Sequence, residues 1–474
     1  MEAIWDYSFS DYSVWGVILI FAVLLGSLLL GNTLKRKIPF LKNSLMPASV
    51  LGGLLLTIIA AIYKAITGDV MFDTTIFNNR GTAYLEMITY HTLALGFIAS
   101  TLKISNAHLN KERTKEIINT GITTVATYLI QGIFGLAITM IAALVIKDFF
   151  PAAGMILPFG YGQGTGQAMN YGGIYETQYG FVGGKSFGLT IAALGFLCAS
   201  FGGIIHLNVM KKQGKLNIPE NKGVLNTEKV EAENEVPMQE NMDKISIQIA
   251  LIFASYALAY VCMYVLGNIA GGLKSTIYGF NFLFGVLFAT LVKLFTRFLR
   301  KKNWMHREYI SNFLLERLSN FFFDIMIVAG IAAIRLDVLE RYWGIALIIG
   351  VAGFVITYVY NRIVAKLLFK KYPEEQFLAM YGMLTGTAST GVILLREIDP
   401  EFETPAADNL VYQNFPAILL GFPMLILATM APENTVLTLV IIIAYFIVLN
   451  IALFRSFIFK KKGVKVKEET EDNE

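Results

Sequence analysis

The chain has 474 residues, of which 55% are apolar and only 16% charged, against about 25% charged in a soluble globular chain, so the composition belongs in a bilayer. The net charge of +4 is no nucleic-acid signature, because the basic residues fall in loops between apolar runs. The only two cysteines, Cys198 and Cys262, lie inside apolar segments, which argues against a disulfide framework and a cysteine-based metal site.

The N-terminal stretch carries Glu2, Asp6 and Asp11 and no basic residue before Ser13, the opposite of a secretory signal, so the first apolar run is expected to stay as a span. A helix needs about 20 mostly apolar residues to cross. On that basis spans are expected at 14–32, 44–66, 83–102, 117–146 and 185–209, then at 245–267, 277–298, 313–335, 343–368, 411–430 and 434–455. The run 117–146 is long for one crossing and invites a tilt, or a kink near Gly132 and Gly135.

Between the fourth and fifth spans lies Leu157-Pro158-Phe159-Gly160-Tyr161-Gly162-Gln163-Gly164-Thr165-Gly166-Gln167-Ala168-Met169-Asn170. Each glycine costs a helix interior about 1 kcal/mol relative to alanine, and Pro158 removes a donor. Broken backbone at membrane depth is tolerated only where protein buries it or a wet cavity solvates it. The expected structure is a re-entrant hairpin over 152–176. A second interrupted stretch, Tyr381-Gly382-Met383-Leu384-Thr385-Gly386-Thr387-Ala388-Ser389-Thr390-Gly391, sits at the matching place in the second half, giving a hairpin over 377–396. Such a pair is the best sequence pointer to a transporter binding site.

Loop charges orient the spans. With the acidic N-terminus outside, Lys35, Arg36, Lys37 and Lys42, then Lys103, Lys111, Arg113 and Lys115, and later Arg297, Arg300, Lys301 and Lys302 all fall on the cytoplasmic side, as the positive-inside rule requires. The first hairpin then dips in from outside and the second from the cytoplasm. Five crossings precede the central loop, and an odd number inverts the second copy. Gly96-Phe97-Ile98-Ala99-Ser100-Thr101-Leu102-Lys103 faintly matches Gly330-Ile331-Ala332-Ala333-Ile334-Arg335, in agreement with a duplication.

The expected fold is an all-α polytopic membrane protein with two inverted-topology repeats, each of five spans and a re-entrant hairpin, plus one extra C-terminal span. The first repeat covers 1–210. Residues 211–243 mix Lys, Glu, Asn and Pro without apolar period and read as a flexible cytoplasmic linker. The second repeat covers 244–433, and 434–474 holds the extra span and a charged cytoplasmic tail.

Gly162-Gln163-Gly164-Thr165-Gly166 and Thr385-Gly386-Thr387-Ala388-Ser389-Thr390-Gly391, with the order of spans from about residue 14 to 430, resemble the bacterial sodium/glutamate symporter family. The resemblance implies inverted repeats, a homodimer built on scaffold spans, and sodium-coupled uptake of glutamate by movement of the hairpin-bearing core in the cytoplasmic membrane. One departure stands out: the family's glutamate carriers read Gly-His-Gly-Thr-Gly in the first hairpin, whereas position 163 here is Gln. Gln keeps hydrogen-bonding capacity but cannot become cationic, so the departure bears on which solute is carried.

An anionic solute in a low-dielectric cavity is best met by half-helix N-termini, which present unpaired amides and partial positive charge. Candidate solute-binding residues are Gln163, Gly164, Thr165, Gly166, Gln167 and Asn170 from the first hairpin and Gly386, Thr387, Ala388 and Ser389 from the second. Na+ is the expected coupling ion, with no other cofactor, and candidate ligands are Thr165, Asp324, Thr385, Thr387, Ser389 and Thr390, since hard cations take hydroxyl and carboxylate oxygens. Against this stands the plainer reading that threonines back-bond within helices and small residues permit close packing.

Asp324 sits mid-span, where a charge costs roughly 2.5–3.5 kcal/mol on insertion scales, so it is expected to face the core and meet a cation or a base. His91 occupies the comparable place in the first repeat and reads more readily as a satisfied core histidine. Glu176 and Lys185 read as interfacial charges, and Arg396 as either a carboxylate contact or a positive-inside anchor.

The functional expectation is thus a sodium-coupled carrier of a small anionic, glutamate-like solute, with membrane lipid and a second copy of the chain as its other partners and no nucleic acid. A proton-coupled organic-anion carrier is the alternative. An intramembrane enzyme is disfavoured by the lack of a His-Glu-x-x-His motif, a Gly-x-Ser-x-Gly elbow and a Walker loop.

Overall fold

Backbone amides and carbonyls find no partners in lipid, so each spanning segment has to satisfy its own, and helix is the form that does so. The computed structural model describes residues 8–104, 111–214, 242–270, 274–305, 307–340, 342–400 and 402–455. Most of the expected linker and the charged C-terminal tail lie outside these residues. The described residues form helices and no extended strand.

In the first half these are α1 (Tyr12–Lys37), α2 (Pro39–Asn43), α3 (Ala48–Thr67), α4 (Gly81–Leu102), α5 (Lys111–Val145), α6 (Leu157–Tyr179) and α7 (Gly184–Lys212). The second half runs through α8 (Lys244–Ile269), α9 (Lys274–Gly279), α10 (Asn281–Lys301), α11 (Asn312–Ala332), α12 (Leu336–Leu339) and α13 (Trp343–Leu368). It continues with α14 (Pro373–Thr385), α15 (Ala388–Arg396), α16 (Ala406–Tyr412), α17 (Asn414–Met430) and α18 (Thr435–Leu453).

Eight of these helices are long and apolar enough to cross a membrane, or nine if α16 and α17, bent by 50° at Gln413, form one span. The protein is thus an all-helical, multi-pass membrane protein. Every expected span falls on a helix, but α4 and α11 do not qualify on composition. α4 carries Glu86 and His91, and α11 carries Glu316, Arg317 and Asp324. Protein, not lipid, covers these two: α11 packs on α3 and α4, and α4 packs on α10 and α11.

For α5, where a tilt or a kink is the expectation, the structure shows no break in the helix. Helix runs unbroken through Gly132 and Gly135, because Gly135 serves a different purpose. A Cβ on Gly135 would collide with the Gly154 carbonyl oxygen, and one on Gly154 with that of Gly135. The pair lets the 3-10 turn Pro151–Ile156 lie directly on α5, where Thr139 Oγ1 donates to Pro151 O at 2.6 Å.

The helices sort into two bodies. One is a row in which α1 packs on α3, α3 on α11, α11 on α4, α4 on α10 and α10 on α8. The other gathers α6 against α7, α13 against α5, α7 and α14, and α17 and α18 against α5. α6 bridges them by packing on both α4 and α11. Outward faces keep large apolar side chains exposed, among them Leu29, Phe253, Val351 and Val440.

Candidate functional site

The first glycine-rich stretch is helical on both sides of a single break. Gly164, at φ 78° and ψ −168°, is the one non-helical residue inside α6, a conformation essentially confined to glycine. The neighbouring glycines stay helical and are there for close contact. Side chains at Gly160, Gly162 and Gly166 would run into Ile191, the Tyr128 ring and Leu93 respectively. The alternation of glycines thus marks packing at three positions and a broken backbone at one.

The second stretch breaks between α14 and α15. Gly386 takes φ −144° and ψ −102°, and Thr387 is extended at φ −142° and ψ 170° before helix resumes at Ala388. The first amides of α15 have no intrahelical partners, and the Thr387 side chain does not cap them.

The two breaks meet. A Cβ on Gly164 would lie 3.5 Å from Thr387 Cγ2 and 3.4 Å from Met326 Cε of α11. One helix holds both breaks in place: from α5, Tyr128 Oη donates to Gly162 O at 3.2 Å and Gln131 Nε2 to Leu384 O at 3.0 Å. Each bond takes up a carbonyl that an interrupted helix leaves over.

Beside this junction lies a cavity of about 810 Å³. Its walls come from the α15 end (Gly386, Thr387, Ala388, Ser389), from α6 (Gly162, Gln163), from α11 (Ser319, Asn320, Phe323, Asp324, Met326), and from α4, α5, α10 and α17. Its charged lining is six basic residues, Lys35, Arg36, Lys42, Lys103, Arg317 and Arg396, against Glu316 and Asp324. That excess, added to the α15 N-terminus, makes the interior favourable for an anion. Lys103 pairs with Glu316, Lys35 Nζ donates to Met46 O at 2.6 Å, and Arg396 lies over the Phe402 ring.

The expected solute-binding residues divide. Gln163, Gly386, Thr387, Ala388 and Ser389 line the cavity. Thr165 is fully buried and donates to Met326 O at 3.1 Å, with Gly330 making room for its side chain. Gln167 accepts from Asn170 Nδ2 at 3.0 Å, and Asn170 also donates to Gly279 O, so this pair braces α6 against α9.

The expected cation ligands divide similarly. Asp324 lines the cavity, with the Ser49 hydroxyl beside it but outside hydrogen-bond geometry. Thr385 is buried and back-bonds to Tyr381 O at 2.6 Å. Thr387 and Thr390 hydroxyls stand 3.4 Å apart. A donated proton leaves lone pairs on each of these hydroxyls, so hard-cation ligation stays chemically open to them. No group of three or more His, Cys, Asp or Glu suited to a metal ion occurs among the described residues.

His91 lies elsewhere: Nδ1 is 2.7 Å from Tyr256 Oη of α8. Lys185 pairs with Glu86 at 2.6 Å, and its backbone amide donates to Glu176 at 3.0 Å. Residues not singled out from sequence include Tyr128, Gln131, Asn320 and Arg317. A glutamine inside the apolar run of α5, and Asn320 one turn before Asp324, were the available signals.

No curated protein matches the chain. The sodium/glutamate symporter family model matches residues 15–402, which takes in both breaks and every cavity-lining helix except α16 and α17, and ends before residue 430, the expected limit of the resemblance. With broken helices converging on an anion-favouring cavity and a match over most of its length, this chain belongs to the sodium/glutamate symporter family.

Proposed function

We propose that the protein imports a small anionic amino acid, glutamate or a close analogue, together with Na+, by alternating access in the bacterial cytoplasmic membrane. The observation that carries this reading is that Gly164 comes close to Thr387, with Thr387 and Gln163 in the wall of one cavity. A carboxylate there would face the first amides of α15, with Gln163 as a neutral polar contact. Asp324 supplies the negative partner for a cation in the same space.

The order α1, α3, α11, α4, α10, α8 reads alike from either end when the helices of the second half are set against those of the first, which supports inverted repeats over 1–210 and 244–433. Of the basic residues that line the cavity, Lys35, Arg36, Lys42 and Lys103 are ones that the positive-inside rule puts in the cytoplasm, which supports an N-terminus outside, a C-terminus inside and a conformation open inward. α6 rests on α4 and α11, while the cavity parts α15 from both. Exchanging those two relationships yields the outward-open state, with the first body as a dimerised, lipid-embedded scaffold and the second as the moving core.

Uptake by reconstituted vesicles tests this reading, using a panel of amino and dicarboxylic acids with Na+ and proton gradients imposed separately. Accumulation of an acidic amino acid on a Na+ gradient is expected. Accumulation on a proton gradient alone would favour the organic-anion carrier, and chemical turnover of the solute without accumulation would point to an enzyme.

A further inference from the structure

Helices α5 and α13 pack against each other through matching polar residues. Thr127 and Gln131 are one turn apart on α5, as are Thr357 and Asn361 on α13, so each pair shares a face. All four are buried. Gln131 Nε2 donates to Thr357 Oγ1 at 2.7 Å, and Asn361 Nδ2 donates to Thr127 Oγ1 at 3.3 Å. The amide of each helix reaches the threonine of the other.

Neighbouring carbonyls settle which end of each amide is oxygen. Gln131 Nε2 also donates to Leu384 O at 3.0 Å, and Asn361 Nδ2 to Thr357 O at 2.9 Å. A carbonyl oxygen only accepts, so the nitrogen has to face it. Gln131 Oε1 and Asn361 Oδ1 therefore point elsewhere, and both are buried without a hydrogen-bond partner. Thr127 gives its own proton to Thr123 O at 2.7 Å and offers the cluster only lone pairs. Unpaired buried acceptors are rare and call for an explanation. Here the surplus is of oxygen lone pairs, with the amide protons already committed.

Neutral amide and hydroxyl oxygens suit a hard cation. Without a carboxylate among them, they suit one positive charge better than two, because uncompensated charge at this depth is costly. We propose that Thr127, Gln131, Thr357 and Asn361 form a binding site for a desolvated monovalent cation, Na+, where α5 meets α13. The site rests on the sodium-coupled reading above and is distinct from Asp324, which lines the cavity. Gln131 also links it to the solute: its nitrogen holds Leu384 O, just before the break at Gly386 and Thr387. An ion on Oε1 fixes the Gln131 amide, and through it the carbonyl end of α14 behind the α15 tip.

The test is the thermal unfolding midpoint of the purified full-length protein against Na+ concentration without solute, choline holding ionic strength constant. Wild-type protein is expected to show a saturable, Na+-specific rise, and Asp324→Asn to retain part of it. In the Asp324→Asn background, Asn361→Leu removes one oxygen at similar volume and Thr127→Val removes another. Each should raise the Na+ concentration for half-maximal effect about tenfold or more. If Asn361→Leu fails to fold, Thr127→Val decides alone. A wild type indifferent to Na+ overturns the sodium-coupled reading and this site with it. A responding wild type whose two variants keep the parental half-maximal concentration overturns this site only.

Discussion

Gly164 and Thr387, one from each half of the chain, are in contact distance: a single methyl group on Gly164 would stand 3.5 Å from Thr387 Cγ2. At φ 78° and ψ −168°, alanine at 164 would be strained, at a cost of about 1–3 kcal/mol, although its methyl would make only ordinary contacts. Gly164→Ala should therefore weaken solute affinity roughly 5- to 150-fold, measured by equilibrium binding of labelled glutamate, while Gly180→Ala, where nothing lies within 4 Å, serves as a second positive-φ change and should leave affinity unaltered.

The junction needs its foundation. Gly154 lies so close to Gly135 that a Cβ on either meets backbone, which cannot give way. Overpacking typically costs 1–3 kcal/mol, and contact with main chain puts Gly154→Ala at about the upper end of that range. The unfolding midpoint in detergent should fall markedly, whereas Gly26→Ala, with open space around it, should leave it within error.

At the other end of α11, Asp337 joins Lys64 at 2.7 Å and Arg335 at 3.0 Å. Burial acts to raise the Asp337 carboxyl, but hydrogen bonds from Arg335 and Lys64 outweigh it and hold the group down at about 2. A depressed carboxylate stabilises above its unfolded value, near 3.8, and loses that contribution as pH falls toward 2. The midpoint difference between wild type and Asp337→Asn should be constant above about pH 5 and vanish near pH 2. The difference itself should be small, since the pair is exposed and water screens it. A difference that grows on acidification would contradict the assignment.

Asp324 lines the cavity, and the proposal that its charge serves a cation has a direct test. Asp324→Asn should weaken Na+ dependence of uptake while the protein still reaches the membrane. Removing a buried carboxylate can even raise stability. An unchanged Na+ half-saturation in vesicle uptake would reduce Asp324 to a structural residue.

Much of this architecture is legible in the sequence because bilayer burial writes long apolar runs, and a glycine at positive φ has few substitutes. Both breaks were findable from Gly164 and from Gly386-Thr387. What the glycine pattern conceals is purpose: Gly160, Gly162 and Gly166 read as further interruption, yet they stay helical against Ile191, Tyr128 and Leu93. The sequence also does not reveal that Thr385, a candidate cation ligand, back-bonds to Tyr381, or that Asn170, a candidate solute contact, reaches α9. Gln131 escapes notice inside an apolar run because its partners, Thr357 and Leu384, belong to the other half of the chain. Long-range pairing of this kind leaves no local period to read.

The central claim is that the two breaks form one solute site, and a double-mutant cycle on binding tests it most directly. Gln163 and Thr387 line the cavity from opposite halves. Gln163→Leu and Thr387→Val each remove a polar contact, and a lost hydrogen bond to a charged group is worth about 1.5–3 kcal/mol, or roughly 10- to 150-fold in affinity for labelled glutamate. A shared site predicts that the double mutant departs from the sum of the singles by more than about 0.5 kcal/mol. Near-wild-type affinity in both single mutants, or losses that simply add, would contradict it.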